Sequence, residues 1–155
     1  MNASPVTLVA IAEADYDDFF AMLEVYDREL QAYETVEPNH EVEFATYRQA
    51  IFDDMEGREL LWIMRGDDRA GFVMTRTSED WPEGDPIMSI SEFYVVPHRR
   101  RNGVGRAAVE RLLADHRDRG TFLVQASIMR ENKAARDFWA TLGFDVQFLQ
   151  TSRKP

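Results

Sequence analysis

The stretch from Ile87 to Arg106 constrains the fold more than any other part of this sequence. It begins with an apolar run, Ile87 to Val96, whose only charged residue is Glu92, and such a run predicts a buried strand. A basic loop with two glycines follows, and from Val104 apolar residues recur at helical spacing. A strand that turns directly into a helix in this way predicts a layered α/β domain.

The remaining segments fit the same architecture. The chain has 155 residues, the size of one domain, and it contains neither an internal repeat nor a linker. Alternating or apolar runs predict strands at Val6–Ile11, Glu59–Arg65, Ala70–Thr77, Ile87–Val96, Phe122–Ile128 and Phe144–Leu149. Three- and four-residue spacing predicts helices at Asp15–Tyr33, Glu43–Met55, Val104–Asp118 and Asn132–Leu142. We therefore expect one domain, 1–155, with a mixed α/β sheet.

The loop before the third predicted helix has the chemistry of an anion site. The first N–H groups of a helix have no partner within the helix, and the helix dipole favours negative charge there. Glycines let a ligand approach the backbone closely, and arginines bind phosphate. The loop is therefore a candidate pyrophosphate cradle, with Arg100, Arg101, Asn102, Gly103, Val104, Gly105 and Arg106 as its candidate binding residues.

Three other interpretations of the loop compete with this one. The run from Gly103 to Ala108 also fits the dinucleotide fingerprint, but the next strand carries no acidic residue for a ribose hydroxyl. A Walker-type loop would need Gly-Lys-Ser/Thr, which does not follow. A helix start with a solvated arginine run also remains open.

Two motifs together resemble those of the GNAT superfamily of N-acetyltransferases. The first is Arg100-x-x-Gly103-x-Gly105, preceded by the strand that ends at Val96. The second is the segment from Asn132 to Phe144, which resembles Asn-x-x-Ala-x-x-Phe-Tyr-x-x-x-Gly-Phe. The resemblance covers 87–148, the acyl-CoA-binding core, and places 1–59 and 60–86 on the acceptor side. It implies a mixed, mostly antiparallel sheet of about six strands with four helices, splayed between strands four and five.

The resemblance also implies acetyl-CoA as the cosubstrate. The backbone of Phe93, Tyr94 and Val95 would contact the pantetheine arm in the splay. The N–H groups from Arg101 to Arg106 would hold the pyrophosphate, and Asn132 would contact the cofactor arm near the start of its helix. A plain N-cap role for Asn132 is compatible with that contact.

Glu92 and Trp139 are the candidate catalytic residues. The chain has no cysteine, so we expect direct attack by a neutral amine within a ternary complex. Partial burial would raise the pKa of Glu92 towards that of a useful base, although exposure or pairing with an arginine is the alternative. Trp139 stands where the family commonly has a tyrosine acid, and an indole supplies no proton at neutral pH. His40 and His98 are weaker candidates.

Charge is distributed unevenly along the chain. Residues 1–60 carry 15 acidic and 3 basic side chains, whereas residues 98–155 carry 6 acidic and 12 basic ones. An acidic and aromatic acceptor side favours a cationic amine, and the net charge of −10 disfavours nucleic acid. The acceptor-side residues in question are Tyr26, Tyr33, Glu34, Glu37, Glu41, Tyr47, Trp81 and Glu83.

Further expectations concern metal, location and assembly. We predict no metal site, because no thiolate is available, and a cytoplasmic protein that neither spans nor binds a membrane. An uncapped sheet edge after Phe144 would either stay in water or pair in a homodimer. The alternative to an enzyme is a catalytically silent acyl-CoA-binding module, which the tryptophan at position 139 motivates.

Overall fold

The computed structural model describes residues 4–34 and 44–155. In chain order its strands and helices are β1 (Val6–Ala10), α1 (Tyr16–Gln31), α2 (Phe44–Asp53), β2 (Arg58–Arg65), β3 (Asp68–Ser78), β4 (Ile87–Val95), α3 (Val104–Asp118), β5 (Leu123–Ala126) and α4 (Lys133–Thr141). Short 3-10 turns precede α1 and follow β4. The order matches the sequence prediction up to α4.

One sheet organises these elements. Its strands lie in the order β1-β2-β3-β4-β5, with β4 and β5 parallel and every other pair antiparallel. Helices cover both faces, because alternate strand residues are apolar on each side. Phe19 of α1 and Ile51 of α2 pack on one face, and Val109 of α3 and Trp139 of α4 on the other. The predicted mixed sheet with four helices is confirmed in the described residues.

An irregularity in β4 decides which way its last residues point. Met74 of β3 pairs with Glu92, whereas the next residue, Thr75, pairs with Ile90, so Ser91 is an extra, bulged residue. Strict alternation would put Glu92 on the same face as Ile90, which packs with α3. The bulge instead turns Glu92 and Tyr94 towards α1 and α2.

The sheet opens between β4 and β5 directly after this bulge. The parallel pairing runs from Ile87 with Leu123 to Ile90 with Ala126 and stops there. β4 continues to Val95, but the chain after Ala126 is no longer in the sheet. A bulge bends its strand and increases the local twist, which accounts for the separation. The splay that the family resemblance implied is therefore present.

The last predicted strand does not form. Phe144 packs against Trp139 with ring centroids 5.0 Å apart, but the segment Phe144–Leu149 has no ladder partner in the described residues. Val146, Phe148 and Leu149 are 79%, 79% and 82% exposed. The alternation of apolar and polar residues is typical of a strand, but it stabilises one only where a neighbouring strand supplies hydrogen bonds. The sheet consequently has five strands, and β5 lies at its edge.

Candidate active site

A cavity of about 260 Å³ occupies the splay. Ile90 to Phe93 of β4 form one wall, and Ala126, the last paired residue of β5, forms the opposite one with residues 127–129. The remaining lining residues come from the helices: Tyr26 and Leu30 of α1, and Asn132, Ala135 and Trp139 from the start and middle of α4. The cavity therefore lies between α1, β4 and the start of α4, and the last two contain predicted cofactor-binding residues.

Glu92 lies in this cavity as a largely buried carboxylate. Tyr47 of α2 donates a hydrogen bond to its Oε1 at 2.7 Å. Burial raises the pKa of Glu92, while interactions with the hydroxyls of Tyr47 and Tyr26 oppose the rise. Asp27 raises the same pKa further and Arg58 lowers it. The net upward shift brings this carboxyl closer to the range in which a general base works near neutral pH.

The two tyrosines beside Glu92 are held in their protonated form. Burial and the neighbouring carboxylate of Glu92 raise the pKa of both Tyr26 and Tyr47 far above the ordinary phenol value. The ring of Tyr26 packs against Tyr94 at 5.4 Å and Phe72 at 5.8 Å between centroids, which fixes its direction. Tyr47 therefore donates to Glu92, and the protonated Tyr26 phenol lies close to the same carboxylate.

Trp139 is a packed wall of the cavity. It is 6% exposed, and its ring meets Phe93, Phe138 and Phe144 at 5.3, 5.1 and 5.0 Å between centroids. Its indole carries a donor but no proton that dissociates at neutral pH. The position therefore shapes the cavity and provides no acid.

The two glycines of the basic loop have different roles. Gly103 caps α3 in the left-handed conformation, φ 76°, and a Cβ there would meet nothing within 4 Å. A Cβ on Gly105 would lie 3.1 Å from Phe138 of α4. Open space for a ligand thus exists only at Gly103, whereas Gly105 is small because α4 packs against it. The packing of α4 is thus a second reason for glycine at position 105, and the close approach of a ligand to its backbone stays a prediction.

The start of α3 is suited to an anion. The N–H of Ala107, which bonds to the carbonyl of Gly103 at 3.0 Å, is the first that the helix itself satisfies. The N–H groups of Val104, Gly105 and Arg106 therefore point out of the first turn. Together with the open space at Gly103 they fit a pyrophosphate.

The loop arginines are not equivalent. Arg100 donates to the carbonyl of Val95 at 2.7 Å and to Glu29 of α1 at 2.9 Å. Its guanidinium therefore stabilises the position of the loop against β4 and α1. Arg106 bonds to Glu110 and to the carbonyl of Thr141, and Arg99 pairs with Asp68.

Arg101 differs from these neighbours in two respects. It has no ion pair within residues 4–34 and 44–155, whereas Arg99, Arg100 and Arg106 each have one. Its φ of 65° is unusual for a residue with a side chain. Arg101 is thus the loop arginine whose charge is left for a ligand, and Asn102 beside it is exposed, with its carbonyl 3.5 Å from Arg65.

Asn132 has the N-cap role and a place in the cavity at the same time. Its side-chain oxygen accepts from the backbone N–H of Ala135 at 3.1 Å, which stabilises the first turn of α4. The side chain also lines the cavity, so its amide group is near the predicted path of the cofactor arm.

The weaker candidates are not brought into this site. His98 is exposed in the turn after β4, and His40, Glu37 and Glu41 lie outside the described residues. Trp81 packs against Phe122 at 6.0 Å between ring centroids, on the loop that leads into β4. Tyr26 and Tyr47 are the acceptor-side residues that the structure joins to Glu92. Composition pointed to them, but the bulge that turns Glu92 towards them left no signal in the sequence.

Neither a membrane-spanning helix nor a metal-binding cluster occurs in the described residues. No helix in the described parts of the chain is both long and apolar enough to cross a membrane. No group of three or more His, Cys, Asp or Glu side chains arranged for a metal ion occurs within residues 4–34 and 44–155.

A sheet that opens beside a helix start suited to an anion is the arrangement expected of an acetyltransferase that uses an acyl thioester. Residues 20–144 match the model of the acetyltransferase (GNAT) family. The match spans most of the sequence, so this chain belongs to that family and is an acetyltransferase. The family uses acetyl-CoA as its cosubstrate. No curated protein matches the sequence.

Solved structures share the fold at low sequence identity. A putative acetyltransferase from Bacillus subtilis is 16% identical, with a TM-score of 0.76 over 97% of this chain and 98% of that one. A ribosomal-protein-alanine N-acetyltransferase from Brucella melitensis is 15% identical, with a TM-score of 0.73 over 97% and 99%. An aminoglycoside acetyltransferase from a soil metagenomic sample, in complex with sisomicin, is 13% identical, with a TM-score of 0.71 over 97% and 96%.

Proposed function

We propose that this chain is an N-acetyltransferase that moves the acetyl group of acetyl-CoA to a primary amine by direct attack in a ternary complex. The single observation that carries the proposal is the half-buried Glu92 carboxylate in the cavity of the splay. A carboxylate with a raised pKa, next to the place where a thioester fits, is suited to take a proton from an attacking amine.

Acetyl-CoA would lie along the opened edge of β4. Its pyrophosphate fits the free N–H groups of the first turn of α3 and the unpaired charge of Arg101. The pantetheine arm would pass between β4 and residues 126–129, with Phe93 on one side and Asn132 near its path. Because N–H groups alternate in direction along a strand and that of Val96 bonds to Ala70 of β3, the N–H groups of Phe93 and Val95 point towards the gap, where β5 no longer pairs with β4.

The acceptor would enter from the side of α1 and α2. Glu92 attracts an ammonium group, and Asp27 adds negative charge close to it. Leu30 and Tyr26 supply apolar surface on the same side of the cavity. We therefore expect a small cationic or peptidyl primary amine. Two of the similar folds belong to an aminoglycoside acetyltransferase and a ribosomal-protein-alanine N-acetyltransferase, which agrees with an amine acceptor.

The test is the release of CoA thiol from acetyl-CoA over a panel of polyamines, aminoglycosides, peptides with free N-termini and lysine peptides. We expect turnover with at least one amine class and, by mass spectrometry, one acetyl group on its nitrogen. Binding of acetyl-CoA without turnover on any amine would instead favour the silent acyl-CoA-binding module, which family membership does not support. A cytoplasmic location and the lack of a nucleic-acid partner stay predictions.

A further inference from the structure

A proton has to travel across this cavity during the reaction. The attacking amine loses one, and the sulfur of the departing CoA takes one up. Trp139 supplies none, because its indole does not ionise at neutral pH. Glu92 is placed to receive the amine proton, and a second group that reaches both Glu92 and the sulfur would return this proton to the leaving thiolate.

Tyr26 is placed to be that group. Its side chain lines the cavity together with Glu92 and Phe93. The Glu92 carboxylate and the backbone of Phe93, the strand residue that faces the splay, both act on the pKa of Tyr26, so its hydroxyl lies near each of them. The hydroxyl therefore lies between the base and the backbone edge along which the thioester fits.

Comparison with Tyr47 shows what distinguishes Tyr26. It holds the same carboxylate through a 2.7 Å hydrogen bond from α2, but it is not among the described residues that line the cavity. Tyr47 orients Glu92 from behind, and Tyr26 connects it to the interior of the cavity. The serines at 91 and 127 also line the cavity, yet neither hydroxyl interacts with Glu92.

We propose that Tyr26 is the catalytic acid of this enzyme, with Glu92 as the source of the proton it passes on; the inference rests on the proposed acetyl transfer. The amine nitrogen bonds to the carbonyl carbon and its proton goes to the Glu92 carboxylate. The C–S bond then breaks and its electron pair stays on sulfur. Sulfur takes the proton of the Tyr26 hydroxyl, and the Tyr26 oxygen takes the proton from Glu92.

The environment of Tyr26 suits a relay. Burial and the Glu92 carboxylate raise the pKa of Tyr26, so the phenol keeps its proton throughout the working pH range. A phenol of this kind is a weak acid by itself, and delivery to sulfur is favourable because Glu92 replaces the proton in the same step. The net result is one proton moved from the amine to the thiol, and both side chains return to their starting states.

The experiment compares Tyr26→Phe with Tyr47→Phe and with Tyr16→Phe as matched control. Tyr16 is also on α1, but its ring packs against Phe52 outside the cavity. Acetyl transfer is followed in single turnovers across pH, so that product release does not hide the chemical step. We expect the plateau rate of Tyr26→Phe to fall by about 10²-fold, the usual contribution of one proton-transfer group, with unchanged affinity for acetyl-CoA.

Tyr47→Phe should behave differently. Loss of its hydrogen bond raises the pKa of Glu92, because that bond stabilises the charged carboxylate. The acidic limb of its pH–rate profile should therefore move to higher pH, with a smaller fall in the plateau. Tyr16→Phe should match the wild type.

A proton inventory in mixtures of light and heavy water separates a relay from a structural effect. We expect a curved inventory in the wild type, where two protons move together, and a straight one in Tyr26→Phe. If folded Tyr26→Phe binds acetyl-CoA and keeps the wild-type plateau and curvature, the relay is wrong while acetyl transfer stands. If the wild type acetylates no amine, both proposals fall together.

Discussion

The raised pKa of Glu92 affects both the proposed reaction and the stability of the fold. A carboxyl whose pKa is raised in the folded state favours folding when it is protonated, and this contribution is lost as pH rises through the folded pKa. At neutral pH the buried charge therefore costs stability, although Tyr47 and Tyr26 reduce the cost. Sites that hold a charge for catalysis commonly do so at the expense of stability.

Glu92→Gln should separate the two effects. An amide accepts hydrogen bonds but takes up no proton, so kcat should fall by about 10²- to 10⁴-fold and the acidic limb of the pH–rate profile should disappear. The thermal midpoint at pH 7 should be equal to or above that of the wild type, because the buried charge is gone. Steady-state kinetics and calorimetry measure the two, and a persistent acidic limb would show that another group is the base.

Gly103→Glu should abolish the binding of acetyl-CoA. The new side chain enters the open space at the start of α3 and adds negative charge where a pyrophosphate is expected. Its left-handed φ also costs the fold ~1–2 kcal/mol. The control is Gly120→Glu, since Gly120 has φ 80° and an equally open surrounding at the other end of α3.

Calorimetric titration with acetyl-CoA and thermal melting compare the two glycine variants. Both should lose similar stability, and only Gly103→Glu should lose affinity, by more than about tenfold. Equal affinities in the two variants would show that the loop is not part of the binding site.

At the scale of the elements, the bulge of β4 is the feature that assembles the site. Ser91 is the extra residue of the ladder, and the separation from β5 begins next to it. Deletion of Ser91 would leave Glu92 directly after Ile90, on the face that it occupies now, within a regular ladder. The deletion would therefore remove the bend in β4 without changing the face of the sheet on which Glu92 lies.

We expect the Ser91 deletion to fold and to keep the Tyr47–Glu92 contact, but to bind acetyl-CoA about tenfold more weakly, because a regular β4 stays closer to β5. Titration calorimetry gives the affinity, and the pH dependence of tyrosine absorbance reports whether the phenols stay beside the carboxylate. Unchanged affinity would mean that the splay does not depend on the bulge.

The sequence predicted most elements because their patterns are local. Strand and helix positions up to α4 followed from periodicity and turn residues, and the loop chemistry followed from Gly103 and the arginines. The pairing of Glu92 with Tyr47, 45 residues earlier, depends on a tertiary contact, and the bulge at Ser91 has no local pattern. The predicted strand at Phe144 failed for the same reason, because a strand requires a neighbour that the pattern does not specify.

At the scale of the whole molecule, most of the exposed large apolar side chains of the described residues belong to two segments, β5 with Phe122 and the stretch after Phe144. β5 is an edge strand with Phe122 beside it at 58% exposed, and the three apolar side chains after Phe144 are exposed as well. Uncovered strand edges and apolar residues with strand-like alternation favour association with another chain. The homodimer expected from the sequence stays a prediction, and this edge is where we expect it to form.

Phe148→Lys should therefore weaken self-association without changing the fold. The side chain is 79% exposed, so its replacement should leave the thermal midpoint unchanged. If Phe148 is buried between two copies, its loss costs ~1.5–3 kcal/mol, which is about tenfold or more in the dimer dissociation constant. Sedimentation over a concentration series measures this, and a wild-type protein that stays monomeric throughout would refute the dimer.

The two loop glycines also imply different fates under mutation over evolutionary time. Position 105 is restricted by the wall of α4 whether or not a ligand is bound. Position 103 is restricted by its backbone conformation, which asparagine also tolerates, and by the ligand. A descendant that no longer handled acetyl-CoA would be free to exchange Gly103 for asparagine but would have to keep Gly105. Loss of Gly103 with retention of Gly105 in a lineage would therefore indicate that its members no longer bind the thioester.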